Sequence, residues 1–236
     1  MSLYTRTIRA AIKAYPAVIP HLTGRARWVA FAVGGEYKTY DYYLQQITRL
    51  ITSVYNGNLG GEFIDIMANL IQGQIYQAVN QAWLDSGMDG SLPDYLVSLA
   101  DDIVLGQYEH VDQLYRDIVD ARLDGTPLAP LLARAPLWAT RWTEAYNQAM
   151  LLIAAEMGQR MVWELGATEQ HCETCAALNG IVAFASEWEE LGVMPQSAPN
   201  DALQCGGWKC DCKLTPTEQR RSPDAYGRII NATVKL

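Results

Sequence analysis

HCETCAALNGIVAFASEWEELGVMPQSAPNDALQCGGWKCDCKL spans His171–Leu214 and holds all five cysteines of the 236-residue chain, at positions 172, 175, 205, 210 and 212. Five sulfurs within 41 positions mark a segment whose chemistry needs thiols. Gly, Pro and Asn are frequent here, and the long helical periodicity of the upstream chain is lost after Gly166. Gly180–Phe184 reads as a short strand after a turn, and Glu187–Leu191 as one helical turn. So small and loop-rich a segment buries too little apolar surface to hold its own shape. A covalent or metal staple is therefore expected.

The spacing is C-x2-C-x29-C-x4-C-x-C. Zinc takes four thiolate or imidazole ligands in a tetrahedron, commonly two from each of two loops. Cys172 and Cys175 form the usual first pair, able to face one ion from a tight turn. Cys205, Cys210 and Cys212 supply the remainder, one sulfur more than a single tetrahedron needs. His171 is expected to point away, since consecutive residues rarely ligate together without strain. A structural zinc site is one reading. Disulfides, with one cysteine left over, are a second. A redox-active C-x-x-C is a third, without the strand–helix setting such motifs use, and thiols that simply pack are a fourth. A catalytic zinc would need an open position and a base such as Glu173 or Asp211. The H-x-E…P-C-x-x-C pattern of the zinc deaminases is absent.

Upstream, apolar residues recur at helical spacing. The pattern predicts a helix from Lys38 to Val54, a second over Phe63–Leu84 and a third from Leu92-Pro93-Asp94 to Leu123. The third carries its acids on the outer face. Leu128–Pro136 reads as a connector. A fourth helix is expected from about Leu137 to about Gln159, with Trp138, Trp142, Ala145, Ala149, Leu152 and Ile153 as its core stripe. Met161–Leu165 fits either its last turn or a strand. The first 33 residues mix helical spacing with Pro16, Pro20 and Gly24. The fold class expected is mainly α with a small α+β cysteine-rich C-terminal domain. The division expected is a helical region over 1–134, the cysteine-bearing domain over 135–220 and a tail over 221–236.

The net charge of −8 is unevenly spread: +5 over residues 1–60, −10 over 61–130 and −3 over 131–236. The basic arm at 1–27 and the acidic helix at 92–123 are the surfaces expected to meet other subunits. Arg220, Arg221, Arg228 and Lys235 make a modest basic tail, leaving a nucleic-acid contact open. No apolar run reaches membrane-spanning length, so no membrane association is expected. The N-terminus lacks the apolar core of a secretory signal, so a cytoplasmic origin is expected. There is no GxGxxG, P-loop, G-x-S-x-G or HExxH, and the three histidines lie far apart at 21, 110 and 171. No catalytic residue is assigned.

A helix, then Trp163, then Cys172, Cys175, Leu178, Asn179 and Gly180, then Val182 and a proline-bearing stretch, then Cys210, Cys212 and Leu214, form an ordered pattern. It resembles the head-morphogenesis domain of tailed phages, the minor head proteins similar to protein F of phage Mu. The resemblance covers roughly residues 135–220. That family usually shows a histidine three residues before the final C-x-C. Gly207 stands there in this chain, and Cys205 lies close by to take that role. The resemblance implies a non-enzymatic virion component bound near the portal vertex in several copies. It would support capsid assembly or genome delivery beside portal and major capsid proteins. The alternative expectation is a zinc- or cysteine-dependent nuclease or hydrolase of phage or host.

Overall fold

A computed structural model describes residues 40–167, 170–208 and 210–233. The basic arm at 1–27, the helical pattern of the first 33 residues, Lys38 and Lys235 lie outside the described residues. The chain divides into two compact units. One takes the residues up to Gln81 with Asp89–Trp142, and the other takes Ala82–Met88 with the residues from Thr143 onward. The fold is mainly α, with a small α+β unit that carries the cysteines.

The helices of the first unit follow the predicted periodicity. They are α1 (Tyr40–Tyr55), α2 (Glu62–Asp85, whose last turn belongs to the second unit), α3 (Asp94–Leu123), α4 (Ala129–Leu132) and α5 (Ala135–Ala139). α1 buries Tyr43, Ile47, Ile51 and Val54, one per turn, and packs on α3, α4 and α5. α3 buries Leu96, Val104, Tyr108, Val111, Leu114 and Ile118, while Asp102, Glu109 and Asp120 stay exposed. α2 is buried around its whole circumference from Gln74 to Asn80. Two of its polar groups find partners there: Tyr43 donates to Gln77 Oε1 at 2.5 Å, and Gln74 Nε2 donates to the Ala139 carbonyl at 2.7 Å.

Glycine ends five of the helices in one way. After α1, Gly57 N–H donates to Val54 O and Asn58 N–H to Ser53 O, with Gly57 at φ +75°. This is the Schellman closure, which needs a left-handed residue and so favours glycine. Gly87, Gly125, Gly158 and Gly192 repeat it. Gly158 therefore ends the helix expected to run to Gln159. That helix also starts later than its apolar stripe suggests. α6 spans Arg141–Glu156, and α5 is a separate turn. Thr140 Oγ1 donates to Leu137 O at 2.8 Å, a local bond that competes with a continuing helical ladder. Leu151, not Leu152, is the fully buried leucine, while Ala145, Ala149 and Ile153 are buried as expected.

In the second unit Met161–Leu165 resolves as a strand. β1 (Arg160–Glu164) is the centre of a three-stranded antiparallel sheet of order β2-β1-β3, with β2 at Val182–Phe184 and β3 at Lys213–Pro216. Met161 pairs with Ala183, and Trp163 with Leu214. The Asn179–Gly180 turn behaves as its residues predict. Gly180 sits at φ +74°, and Ile181 N–H donates to Leu178 O at 3.0 Å. Three elements were not expected: α7 (Glu173–Leu178), β3 and α9 (Ala225–Thr233). The one helical turn expected at Glu187–Leu191 is α8 (Ala185–Glu190).

The segment read as a tail is part of this core. Ala225 and Ile229 are fully buried. Ser222 exchanges hydrogen bonds with Val182 at 2.8 and 3.0 Å, and Arg221 Nε donates to Glu187 Oε2 at 2.9 Å. Glu187 also caps α8 by accepting from Phe184 N–H at 2.9 Å. The Arg221 guanidinium holds the Glu187 carboxyl below its ordinary range, so this clasp contributes fully above that range and is lost as pH falls through the lowered value.

Trp163 and Trp188 form the heart of the core, both fully buried with ring centroids 5.7 Å apart. Trp188 Nε1 donates to Met161 O at 3.4 Å. Trp188→Ala should destabilise this unit by about 3–5 kcal/mol, read as a lower urea midpoint for the loss of near-UV circular dichroism. An unchanged midpoint would show that the indole is not the centre of the core.

Candidate metal centre

The centre is built by three stretches brought against β1. The first is the start of α7. Cys172 is its N-cap, with extended backbone (φ −66°, ψ 156°), and its Sγ accepts from Cys175 N–H at 3.4 Å. The tight turn expected for C-x2-C is thus the first turn of a helix, which places both sulfurs on one side. Cys175 is buried and Cys172 half-buried.

The second stretch is the loop after α8, which carries Cys205. Asn200 holds it in shape. Its Nδ2 donates to the carbonyls of Gly192 and Met194 at 3.1 and 3.2 Å, its Oδ1 accepts from Ala202 N–H at 3.0 Å, and its own N–H donates to Gly206 O at 3.0 Å. Gln204 then docks the loop on α7. Its Oε1 accepts from Glu173 N–H at 2.8 Å, and its N–H donates to Thr174 Oγ1 at 3.2 Å. Cys205 follows directly and so lies beside Cys172. Gly207 adopts φ +77°, and a Cβ there would fall 2.3 Å from Ser197 O. Only glycine allows both the turn and the approach. Trp208 is 43% exposed and lies over Gly206, outside the core.

The third stretch is Cys210–Cys212, the entry to β3. Gln196 Nε2 donates to Cys212 O at 2.9 Å. Gly166, just past β1, lets this stretch come close, since a Cβ there would sit 2.0 Å from Asp211 Cγ. Pairing of Trp163 with Leu214 then fixes the register that holds Cys212 in the core.

All five cysteines converge, and all five are free thiols. The Cys175 and Cys210 sulfurs lie 3.9 Å apart, far beyond the roughly 2.05 Å of a disulfide bond. No disulfide joins the five cysteines in this structure. The donor atoms form three overlapping triads, each within 4.8 Å: Cys172–Cys175–Cys205, Cys175–Cys210–Cys212 and His171–Asp211–Cys212. Such clusters can hold a metal ion. His171 does not point away. Its Nδ1 lies 3.9 Å from Cys212 Sγ. The extended backbone at Cys172 sends neighbouring side chains to opposite sides, so His171 faces Cys212 while Cys172 faces Cys205. Of the two carboxylates weighed as bases, Asp211 joins a triad and Glu173 is exposed outside them.

Backbone N–H groups point at the sulfurs and favour their anionic forms. Cys210 is pulled down to about 5, first by the Cys175 thiol and then, against burial, by the N–H groups of Cys212 and Gln196. The same contact pushes Cys175 far up. Burial raises the Cys172 thiol, but the Cys175 and Cys205 N–H groups outweigh it and the net shift is downward. Cys205 rises to about 11, chiefly by burial, against the pull of Gly207 N–H. Cys212 rises by burial, against the pull of Gly166 N–H. Peptide donors aimed at sulfur are what a thiolate–metal centre uses to spread its charge.

Sequence spacing found the five cysteines. It reads Asp211 only as a possible base and turns His171 away, and it misses the residues that aim them: Gly166, Gln196, Asn200 and Gln204. The only signal for Gly166 was its glycine, read there as a stop. Among the described residues no helix is long and apolar enough to cross a membrane. No protein-family model, curated protein or solved structure matches the chain.

Gly207→Ala should weaken metal retention at least about tenfold, since a left-handed alanine alone costs roughly 1–2 kcal/mol and the Ser197 carbonyl must also move. Gly61→Ala, which meets nothing within 4 Å, is the control. Competition with a chromophoric chelator measures both, and equal retention would show that the loop does not position Cys205. Each thiol must lose its proton to bind. Metal content after dialysis should therefore fall as pH drops from about 7 toward 5, and retention unchanged across that range would argue against thiolate ligation.

Proposed function

We propose that this chain is a structural, non-enzymatic component of a tailed-phage particle. It would be a minor head or head-morphogenesis protein at the portal vertex, with its cysteine centre holding zinc as a structural staple. The observation that carries the reading is the meeting of the two cysteine motifs beside the Trp163 strand. Cys172 and Cys175 open the helix that leads to β2, Cys210 and Cys212 lead into β3, and β2 and β3 flank β1, in the order that the resemblance to the phage family rests on.

Thiolates are soft donors that select zinc among the common cytoplasmic ions. A tetrahedron of 2.3 Å zinc–sulfur bonds has edges of about 3.8 Å. The Cys175–Cys210 separation of 3.9 Å fits that edge. A unit whose core holds only a short sheet and three short helices beyond α6 gains the fixed shape a subunit contact needs. The acidic outer face of α3 would suit a basic portal or capsid neighbour in a ring of copies, as the basic composition of residues 1–27 would suit an acidic one. The Arg220, Arg221 and Arg228 region leaves contact with packaged DNA open, though Arg221 is committed to Glu187.

The enzyme reading draws on the His171–Asp211–Cys212 triad. Its mixed donors resemble the ligand sets of catalytic zinc more than an all-sulfur set does. Zinc-dependent hydrolysis of DNA or peptide substrates by the purified chain would favour it.

The test is association. The full chain, tagged and co-expressed with the portal and major capsid proteins of the phage that encodes it, should co-purify with portal and appear by mass spectrometry in finished particles at low copy. A chain that binds neither protein and is absent from particles is not a head protein.

A further inference from the structure

The five sulfurs do not form one quartet. They form two triads that share a single atom, the Sγ of Cys175. One tetrahedral ion would draw four sulfurs to mutual separations of about 3.8 Å and leave the fifth idle. A shared vertex is instead the arrangement of two tetrahedral ions joined by a bridging thiolate. Two four-coordinate ions sharing one ligand take about seven donors. The triads together contain five cysteines, one histidine and one carboxylate.

We propose that the centre holds two zinc ions bridged by Cys175 Sγ, one bound by Cys172, Cys175 and Cys205 and the other by Cys175, Cys210, Cys212 and His171. The proposal rests on the reading that these cysteines bind zinc, and it adds the number of ions, the bridge and the histidine. The inner ion is fully coordinated by protein, with His171 Nδ1 already 3.9 Å from Cys212 Sγ. Asp211 lies in the same triad and is placed to fix the imidazole, as carboxylates do beside metal-bound histidines. The outer ion has three sulfurs, two of them from half-buried residues, and its fourth position takes a solvent molecule. The two ions therefore differ in access. A chelator removes the outer one first.

Zinc content and cobalt spectroscopy test this on the full chain. Protein loaded with zinc sulfate should carry two zinc ions by native mass spectrometry, and a brief chelator pulse should leave one. Cys205→Ser should carry one tightly held ion. His171→Ala should keep two binding positions but release the inner ion at least about tenfold faster. Circular dichroism checks that each variant is folded. With cobalt(II) chloride, the paramagnetic resonance signal should rise to one equivalent and fall toward two, as thiolate-bridged ions couple. Saturation at a single zinc, unaffected by Cys205→Ser, would overturn the two-ion centre while leaving a zinc staple intact. Two cobalt ions that never couple would overturn the Cys175 bridge. Absence of any bound zinc would overturn the metal reading itself.

Discussion

Cys175 Sγ and Cys210 Sγ approach to 3.9 Å across 35 residues of chain, and the C-terminal unit is arranged around that approach. Everything that brings the two sulfurs together is also what shapes the unit. α7 exists because Cys172 caps it. The loop after α8 returns because Asn200 closes it and Gln204 docks it. β3 begins where Cys212 ends, paired to β1 beside Trp163. The apolar core around Trp163 and Trp188 takes in Cys175 and Cys212, and Cys172, Cys205 and Cys210 pack against it.

The two units stabilise themselves by different means. The helical unit has long amphipathic elements, a helix buried on all sides and buried hydrogen bonds at Gln74 Nε2 and Gln77 Oε1. The second unit has strands of three to five residues and helices of six to nine beyond α6. Elements that short are marginal alone. A metal held by the cysteines of three loops would offset what the core lacks.

Much of this was legible in the residues, for definite reasons. Helices α1, α2 and α3 declared themselves because each repeats an apolar position per turn and stops at Gly57, Gly87 or Gly125. The fourth helix was drawn too long at both ends. Gly158 sits among apolar neighbours that continue the period, and Thr140 breaks the ladder by a bond that hydropathy does not report. The cysteines stood out by type. His171 was misjudged because adjacency was weighed without backbone conformation; in extended chain, neighbours serve opposite sides. Gly166 and Gly207 were visible as glycines, but the backbone each must admit belongs to residues tens of positions away or across a loop. α9 gives no such signal, because its two buried positions, Ala225 and Ile229, are too few to make a period.

Charge explains why the centre needs more than packing. Two thiolates about 4 Å apart repel by roughly 4 kcal/mol at the effective dielectric of a protein surface. Without metal the cluster answers by sharing protons. The Cys175 thiol favours the charged form of Cys210, while burial disfavours the charged forms of Cys205 and Cys212. One dication facing five thiolates leaves the site three charges short of neutral, or leaves a thiol protonated and idle in a place built to favour its anion. A second dication brings the balance to within one charge. In a half-buried site, where uncompensated charge is costly, that balance favours filling both triads over filling one.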